Sequence, residues 1–321
     1  MTDTNFRRTG RSSRSPRAGA SGSTSPVGGA PRGRVRSFLR LVMIEHSIFA
    51  LPFAYTAALT AMWQQTRSVH WMQLLLITVA MVSARTVAMG ANRILDRRFD
   101  ALNPRTARRE LVTGALTVRT ATTGTLVALA VFLAAALALR PLCLLLAPVA
   151  VALLVLYSYG KRFTDFPQVL LALAQFVAPV GAWIAVTGSA SWSATWLGIA
   201  VGTWIGGFDL IYSCQDADVD RRIGSRSFPA RFGVSTALQT SSGTHVVTVA
   251  AYLLFGRTAG MGVLWYIGVA LTAMVLVYEH VIVSAADLSR VNRAFFTANG
   301  VIGLGLFAFA LADLVVHGLG A

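Results

Sequence analysis

The sequence predicts an all-helical, polytopic membrane protein, and three observations carry that prediction. The 321 residues are 55% hydrophobic and 13% charged, where ordinary globular chains carry roughly 25% charged residues. Apolar stretches long enough to cross a bilayer recur from residue 38 to the C-terminal end. The basic residues gather on one side of the alternation that those stretches define.

Residues 1–36 are mostly Ser, Gly, Pro and Arg, with almost nothing to bury, so they are expected to be a disordered basic tail. Arg7 and Arg8 resemble a twin-arginine start, but no apolar segment follows, and no signal peptide is expected. A basic tail beside a membrane is drawn to anionic headgroups. Residues 37–321 read as one intramembrane domain. Nine spans are expected, at roughly 38–62, 71–90, 121–139, 141–158, 168–187, 194–213, 236–256, 262–283 and 299–317. They should be helices, because lipid leaves no partner for an open backbone. The span at 236–256 is the weakest, because its first half, "TALQTSSGTHV", is polar.

Charge tests the count. Of the 28 Arg and Lys residues, 24 fall in the tail and in the loops after spans two, four, six and eight. Arg67, Arg140 and Arg257 fall on the opposite side, and Arg85 lies inside span two. This bias is expected to put the N-terminus in the cytoplasm and the C-terminus outside, and the plasma membrane is the expected location. The net charge of +15 is therefore read as topology and not as nucleic-acid binding. Cys143 and Cys214 fall at opposite faces, ~30 Å apart, too far for a disulfide.

The chemistry is expected at two span ends. Span two runs into "NRILDRRFD", where Asn92, Asp96 and Asp100 stand four and four apart. On a helix that spacing makes one strip, and Arg85 lies on the same face two turns earlier. Span six ends in "DLIYSCQDADVDRR", where Asp209, Tyr212, Asp216 and Asp220 again share a face, with Asp218 pointing elsewhere. Both spans are even-numbered, so both strips lie on the cytoplasmic side and can face each other. Carboxylates at membrane depth are expensive and repel one another, so a cation should sit between them. Oxygen donors without His or Cys suit Mg²⁺, which takes its remaining ligands from phosphates and water. Arg105, Arg108, Arg109, Lys161 and Arg162 lie nearby to hold a polyanion. The pieces describe a pyrophosphate site opening toward an apolar bundle, suited to a prenyl diphosphate.

At this point the chain resembles the UbiA superfamily of intramembrane prenyltransferases. That family has nine helices around a central cavity and two Asp-rich motifs, approximately N-D-x-x-D-R-x-x-D and D-x-x-Y-x-x-x-D, the latter followed by x-x-D or x-D. "NRILDRRFD" and "DLIYSCQDADVDRR" match them, and the resemblance covers about residues 36–317. Arg93 replaces the second residue of the first motif, and Glu45 and His46 stand where many 4-hydroxybenzoate enzymes have Lys-Pro. With "NPRTARRELVTG" and "SRSFPARFG", these departures look most like the branch that prenylates a dihydroxynaphthoate in futalosine-route menaquinone synthesis. The resemblance implies Mg²⁺-assisted ionisation of a polyprenyl diphosphate and electrophilic attack on an aromatic ring. It implies Asn92, Asp96, Asp216 and Asp220 as metal ligands. Asp100 would bind metal or take a proton, and Asp209 and Tyr212 would line the reacting centre. Arg85, Arg105, Arg109, Lys161 and Arg162 would contact substrate, and Glu45 and His46 would orient the aromatic acceptor.

Two rivals are weighed beside it. 4-Hydroxybenzoate is an alternative acceptor. A cation-coupled transporter also uses carboxylates on facing helices, but it usually needs charged or broken-helix features near the midplane. Glu279 and His280, at the cytoplasmic end of span eight, are expected to be a local polar pair, and Asp313 and His317, toward the far side and remote from the chemistry, are expected to be interfacial residues.

Overall fold

The computed structural model describes residues 51–291 and 299–320. The basic tail, the start of the first span, Glu45 and His46 lie outside the described residues. The described residues are almost all helices and their connections, and among them there is no β-strand. The helices are α1 (Leu51–Gln65), α2 (Trp71–Leu95), α3 (Arg97–Leu102), α4 (Glu110–Thr113), α5 (Val118–Leu139), α6 (Pro141–Phe163) and α7 (Pro167–Thr187). They continue with α8 (Trp192–Ser213), α9 (Ala217–Ile223), α10 (Phe228–Phe232), α11 (Val234–Ala259), α12 (Val263–Ile282) and α13 (Asn299–Val316).

The boundaries follow local chemistry. Pro141 and Pro167 start α6 and α7, where a missing N–H costs nothing and the fixed φ suits a helix. Thr117 and Ser191 cap α5 and α8, their side chains accepting from the backbone N–H of Thr120 and Ala194. Gly188, at φ 79°, lets the chain leave α7 through a left-handed turn. Asp313 caps a helix from a distance. Its carboxylate accepts from the backbone N–H of Gly262 at 2.6 Å and Leu264 at 3.1 Å, the start of α12. Asp313 is buried and acts as a structural cap.

Among the described residues seven helices are long and apolar enough to cross a membrane: α2, α5, α6, α7, the run Trp192–Ile223, α12 and α13. Two of the nine expected spans fall short of that test. Helix α1 is described only from Leu51, over 15 residues. Helix α11 is long enough at 26 residues but too polar. Part of its polarity has a destination, because Ser241, His245 and Thr248 face α8. Ser241 Oγ donates to the Gly207 carbonyl at 2.7 Å, and His245 Nε2 lies 3.2 Å from the Trp204 carbonyl. The Thr203 and Thr248 hydroxyls meet at 2.9 Å. His280 joins this network, its Nε2 2.9 Å from His245 Nδ1, and Glu279 is buried beside Asn299.

Helices α7 and α8 pack along each other at the centre, with α1, α6 and α11 against them and α5 against α2. The core is aromatic where α1, α8, α11 and α12 meet: Phe53 lies 5.1 Å from Trp204, and Phe255 lies 5.0 Å from Trp265, ring to ring. Small residues let α7 and α8 approach closely, as between helices in lipid. A Cβ on Gly202 would stand 2.6 Å from the carbonyl oxygen of Ala172, a backbone atom that cannot swing aside. Gly202→Ala is therefore expected to destabilise the bundle by about 1–3 kcal/mol. The check is a lower melting temperature of the purified protein in detergent, with an unchanged melt counting against this packing.

Candidate functional site

The two acidic motifs end up in one chamber. It has a volume of about 420 Å³ and is walled by α2, α6, α7 and α8 and by the loops that follow α2 and α8. Asn92, Asp96, Asp100, Asp209, Tyr212, Asp216 and Asp220 all line it, together with Arg85, Arg105, Arg109 and Lys161. Asp218 is exposed and pairs with Arg221.

Neither strip is one continuous helix. Helix α2 stops at Leu95 and α3 begins at Arg97, with Asp96 at the joint. The i to i−4 bonds nevertheless continue, Asp96 N to Asn92 O and Asp100 N to Asp96 O, both 2.8 Å, so the strip keeps its phase. The second motif breaks harder. Cys214–Asp216 is a 3₁₀ turn between α8 and α9, so Asp209 lies on one helix and Asp220 on another.

Each acid has its own partners. Asn92 Nδ2 donates to Asp96 Oδ2 at 3.1 Å. Asp96 Oδ1 accepts no hydrogen bond and has the Arg162 guanidinium 3.5 Å away. Burial pushes the Asp96 carboxyl above its usual range, against the pull of Lys161 and Arg162. Asp100 Oδ1 accepts from Arg109 at 2.5 Å. Asp216 accepts from Asn103 at 3.2 Å and from Arg105, whose Nε stands 3.0 Å from Oδ1 and whose Nη2 meets Oδ2. Arg105 also donates to the Tyr212 hydroxyl at 3.1 Å and lies over its ring. Burial works against the Arg105 charge, but the hydrogen bond to Asp216 and the negative charge of Asp216, with Tyr212 and Asp100 nearby, together hold the guanidinium above its ordinary pKa.

Arg162 does not line the chamber. It donates to the Leu95 carbonyl at 2.6 Å and stacks over Phe99 and Tyr159, tying the end of α6 to the end of α2. Its neighbour Lys161 does face the chamber. Three further lining residues were not singled out from sequence: Asn103, Tyr157 and Gln168. Tyr157 had a signal, standing four residues before Lys161 on the same helical face. Asn103 and Gln168 had none.

The lining residues Arg85, Asp96, Ser158 and Gln168 each carry a buried polar atom with no hydrogen-bond partner. Such atoms are costly unless a ligand or water completes them. The chamber charges also balance before anything enters: Asp96, Asp100, Asp209, Asp216 and Asp220 against Arg85, Arg93, Arg105, Arg109 and Lys161. A diphosphate entering alone would be uncompensated, so a divalent cation suits it. Among the described residues no three of His, Cys, Asp and Glu converge closely enough to hold an ion unaided.

The chamber opens inward. Arg85, Ala88, Leu154, Ala174 and Gln175 also line a second cavity of about 310 Å³, otherwise almost wholly apolar, between α2, α5, α6 and α7. A polyanion site at the mouth of an apolar cavity is the shape of a lipid diphosphate.

The chain matches the UbiA prenyltransferase family over residues 50–301. It belongs to that family. This UbiA prenyltransferase is 30% identical over 277 residues to a 4-hydroxybenzoate octaprenyltransferase of Citrobacter koseri, covering 86% of this chain and 95% of that one. A UbiA homologue from Aeropyrum pernix, solved without ligand, is 33% identical with a TM-score of 0.76, covering 84% and 98% of the two chains. A homologue from Archaeoglobus fulgidus, solved with GPP and Mg²⁺, shares the fold at 20% identity and a TM-score of 0.65, covering 87% and 99%. The chain is thus a multi-pass membrane enzyme that transfers prenyl groups, and the transporter reading falls away.

Proposed function

We propose that this UbiA prenyltransferase moves a polyprenyl group from its diphosphate to a dihydroxynaphthoate, as a step of menaquinone synthesis. The observation that carries the donor half is the junction of a charge-balanced polar chamber with an apolar cavity, at Arg85. The diphosphate occupies the chamber and the chain extends into the cavity. In this reading Asn92, Asp96, Asp216 and Asp220 hold a magnesium ion, which suits their oxygen-only donor set. When bound, the ion supplies positive charge that stabilises the departing pyrophosphate. Arg105, Arg109 and Lys161 hold the remaining phosphate oxygens, as fixed cations aimed where charge develops. The carbon–oxygen bond of the donor breaks with its electron pair going to pyrophosphate. The allylic cation forms a bond to an electron-rich ring carbon, and Asp100 takes the ring proton. The apolar walls keep water from the cation. Asp100 steadies Arg109, and Tyr212 steadies Arg105.

The acceptor rests on sequence. "NPRTARRELVTG" and "SRSFPARFG" point to a dihydroxynaphthoate, and the first stretch supplies the chamber residues Asn103, Arg105 and Arg109. A second reading, 4-hydroxybenzoate, is favoured by the name of the Citrobacter koseri relative. The topology belongs to the same proposal: residues 1–36 a cytoplasmic tail, residues 37–321 the enzyme in the plasma membrane, and the chamber facing the cytoplasm. Glu45 and His46 remain proposed acceptor contacts. The test is a panel: purified membranes with labelled polyprenyl diphosphate, Mg²⁺ and one aromatic acid at a time. Lipid-soluble label with dihydroxynaphthoate is expected. Label with 4-hydroxybenzoate alone would select the second reading.

A further inference from the structure

Gln168 lines the chamber but has no part in the steps above. It is the second residue of α7, held at the helix start by Pro167. It is 6% exposed, and its Nε2 donates to Ser213 Oγ at 3.3 Å. It also stands beside Asp209. Turning the amide over would set Oε1 against the Asp209 carboxylate, two acceptors face to face. In the orientation it holds, Oε1 is buried with no hydrogen-bond partner.

An orphaned carbonyl oxygen requires a donor, and the reactants differ in what they offer. An ionised diphosphate has acceptors only, and a prenyl chain has neither donor nor acceptor. The aromatic acceptor does carry a donor, its ring hydroxyl. Gln168 also borders an apolar cleft of about 360 Å³ between α7, α8 and α11, lined by Val169, Ala172, Phe176 and Gly202. Gln168 thus has the polar chamber on one side and an apolar cleft on the other.

We infer that Gln168 Oε1 accepts a hydrogen bond from the ring hydroxyl of the aromatic acceptor, fixing which ring carbon meets the prenyl cation. This rests on the function proposed above. The test compares binding, without turnover, of each hydroxylated acid and its deoxy counterpart: dihydroxynaphthoate against naphthoate, and 4-hydroxybenzoate against benzoate. The wild-type protein should bind the accepted acid about tenfold or more tighter than its deoxy form, because the latter leaves Oε1 unpaired. Gln168→Met, close in shape but without the acceptor, should bind the two alike while holding the polyprenyl diphosphate as before. Equal binding of both acids by the wild type would overturn the assignment, and that result needs no variant to fold. So would an undiminished preference in Gln168→Met, or a matching loss of diphosphate binding. Failure of the broader reading looks different: wild-type membranes would form no product with any acid.

Discussion

Replacing Asp96 or Asp216 with asparagine lowers prenyl transfer by at least about 10³-fold, because each change removes charge where a cation and a diphosphate are to be held. Size and shape are kept, so the fold should survive. Asp96 Oδ1 makes no hydrogen bond that the change could break. Asp216 is bonded more heavily, to Asn103 and Arg105, but Arg105 is 37% exposed and water can take over its lost charge partner. The measurement is the initial rate of label transfer beside size-exclusion elution of the purified variants. Ordinary activity in either variant would remove that residue from the site.

Ala150→Trp separates long donors from short ones. Ala150 lines the apolar cavity on α6, away from the acids. An indole there fills space that a polyprenyl tail needs, so turnover of a long-chain diphosphate should fall about 100-fold or more, the scale of a misplaced substrate. Dimethylallyl diphosphate, too short to reach the indole, should react as it does with the wild type. That contrast is the check, because a misfolded variant would lose both donors. Equal turnover of both donors would place the tail elsewhere.

Much of the site was legible because a helical period is a simple code. Asn92, Asp96 and Asp100, and Asp209, Tyr212, Asp216 and Asp220, share faces by spacing alone, and all seven line the chamber. The breaks at Asp96 and at Cys214–Asp216 were not legible. Asp216 is bonded by Asn103 and Arg105, from a loop more than a hundred residues earlier, and sequence spacing carries no such contact. Arg162 follows Lys161 directly, yet one caps a neighbouring helix while the other faces the chamber. The choice depends on where α2 ends. Helix α11 looked a poor span because its polar groups were counted against lipid, whereas Ser241, His245 and Thr248 spend them on α8. Hydropathy sees the group and not its partner.

The most direct measurement is the affinity of the purified protein for a non-hydrolysable polyprenyl diphosphate, with Mg²⁺ and with a chelator. Binding should be tight with the ion and at least tenfold weaker without it, and Asp96→Asn and Asp216→Asn should each erase the difference. Equal affinity with and without a divalent ion would contradict a site in which two acidic helix ends hold a cation against a lipid diphosphate.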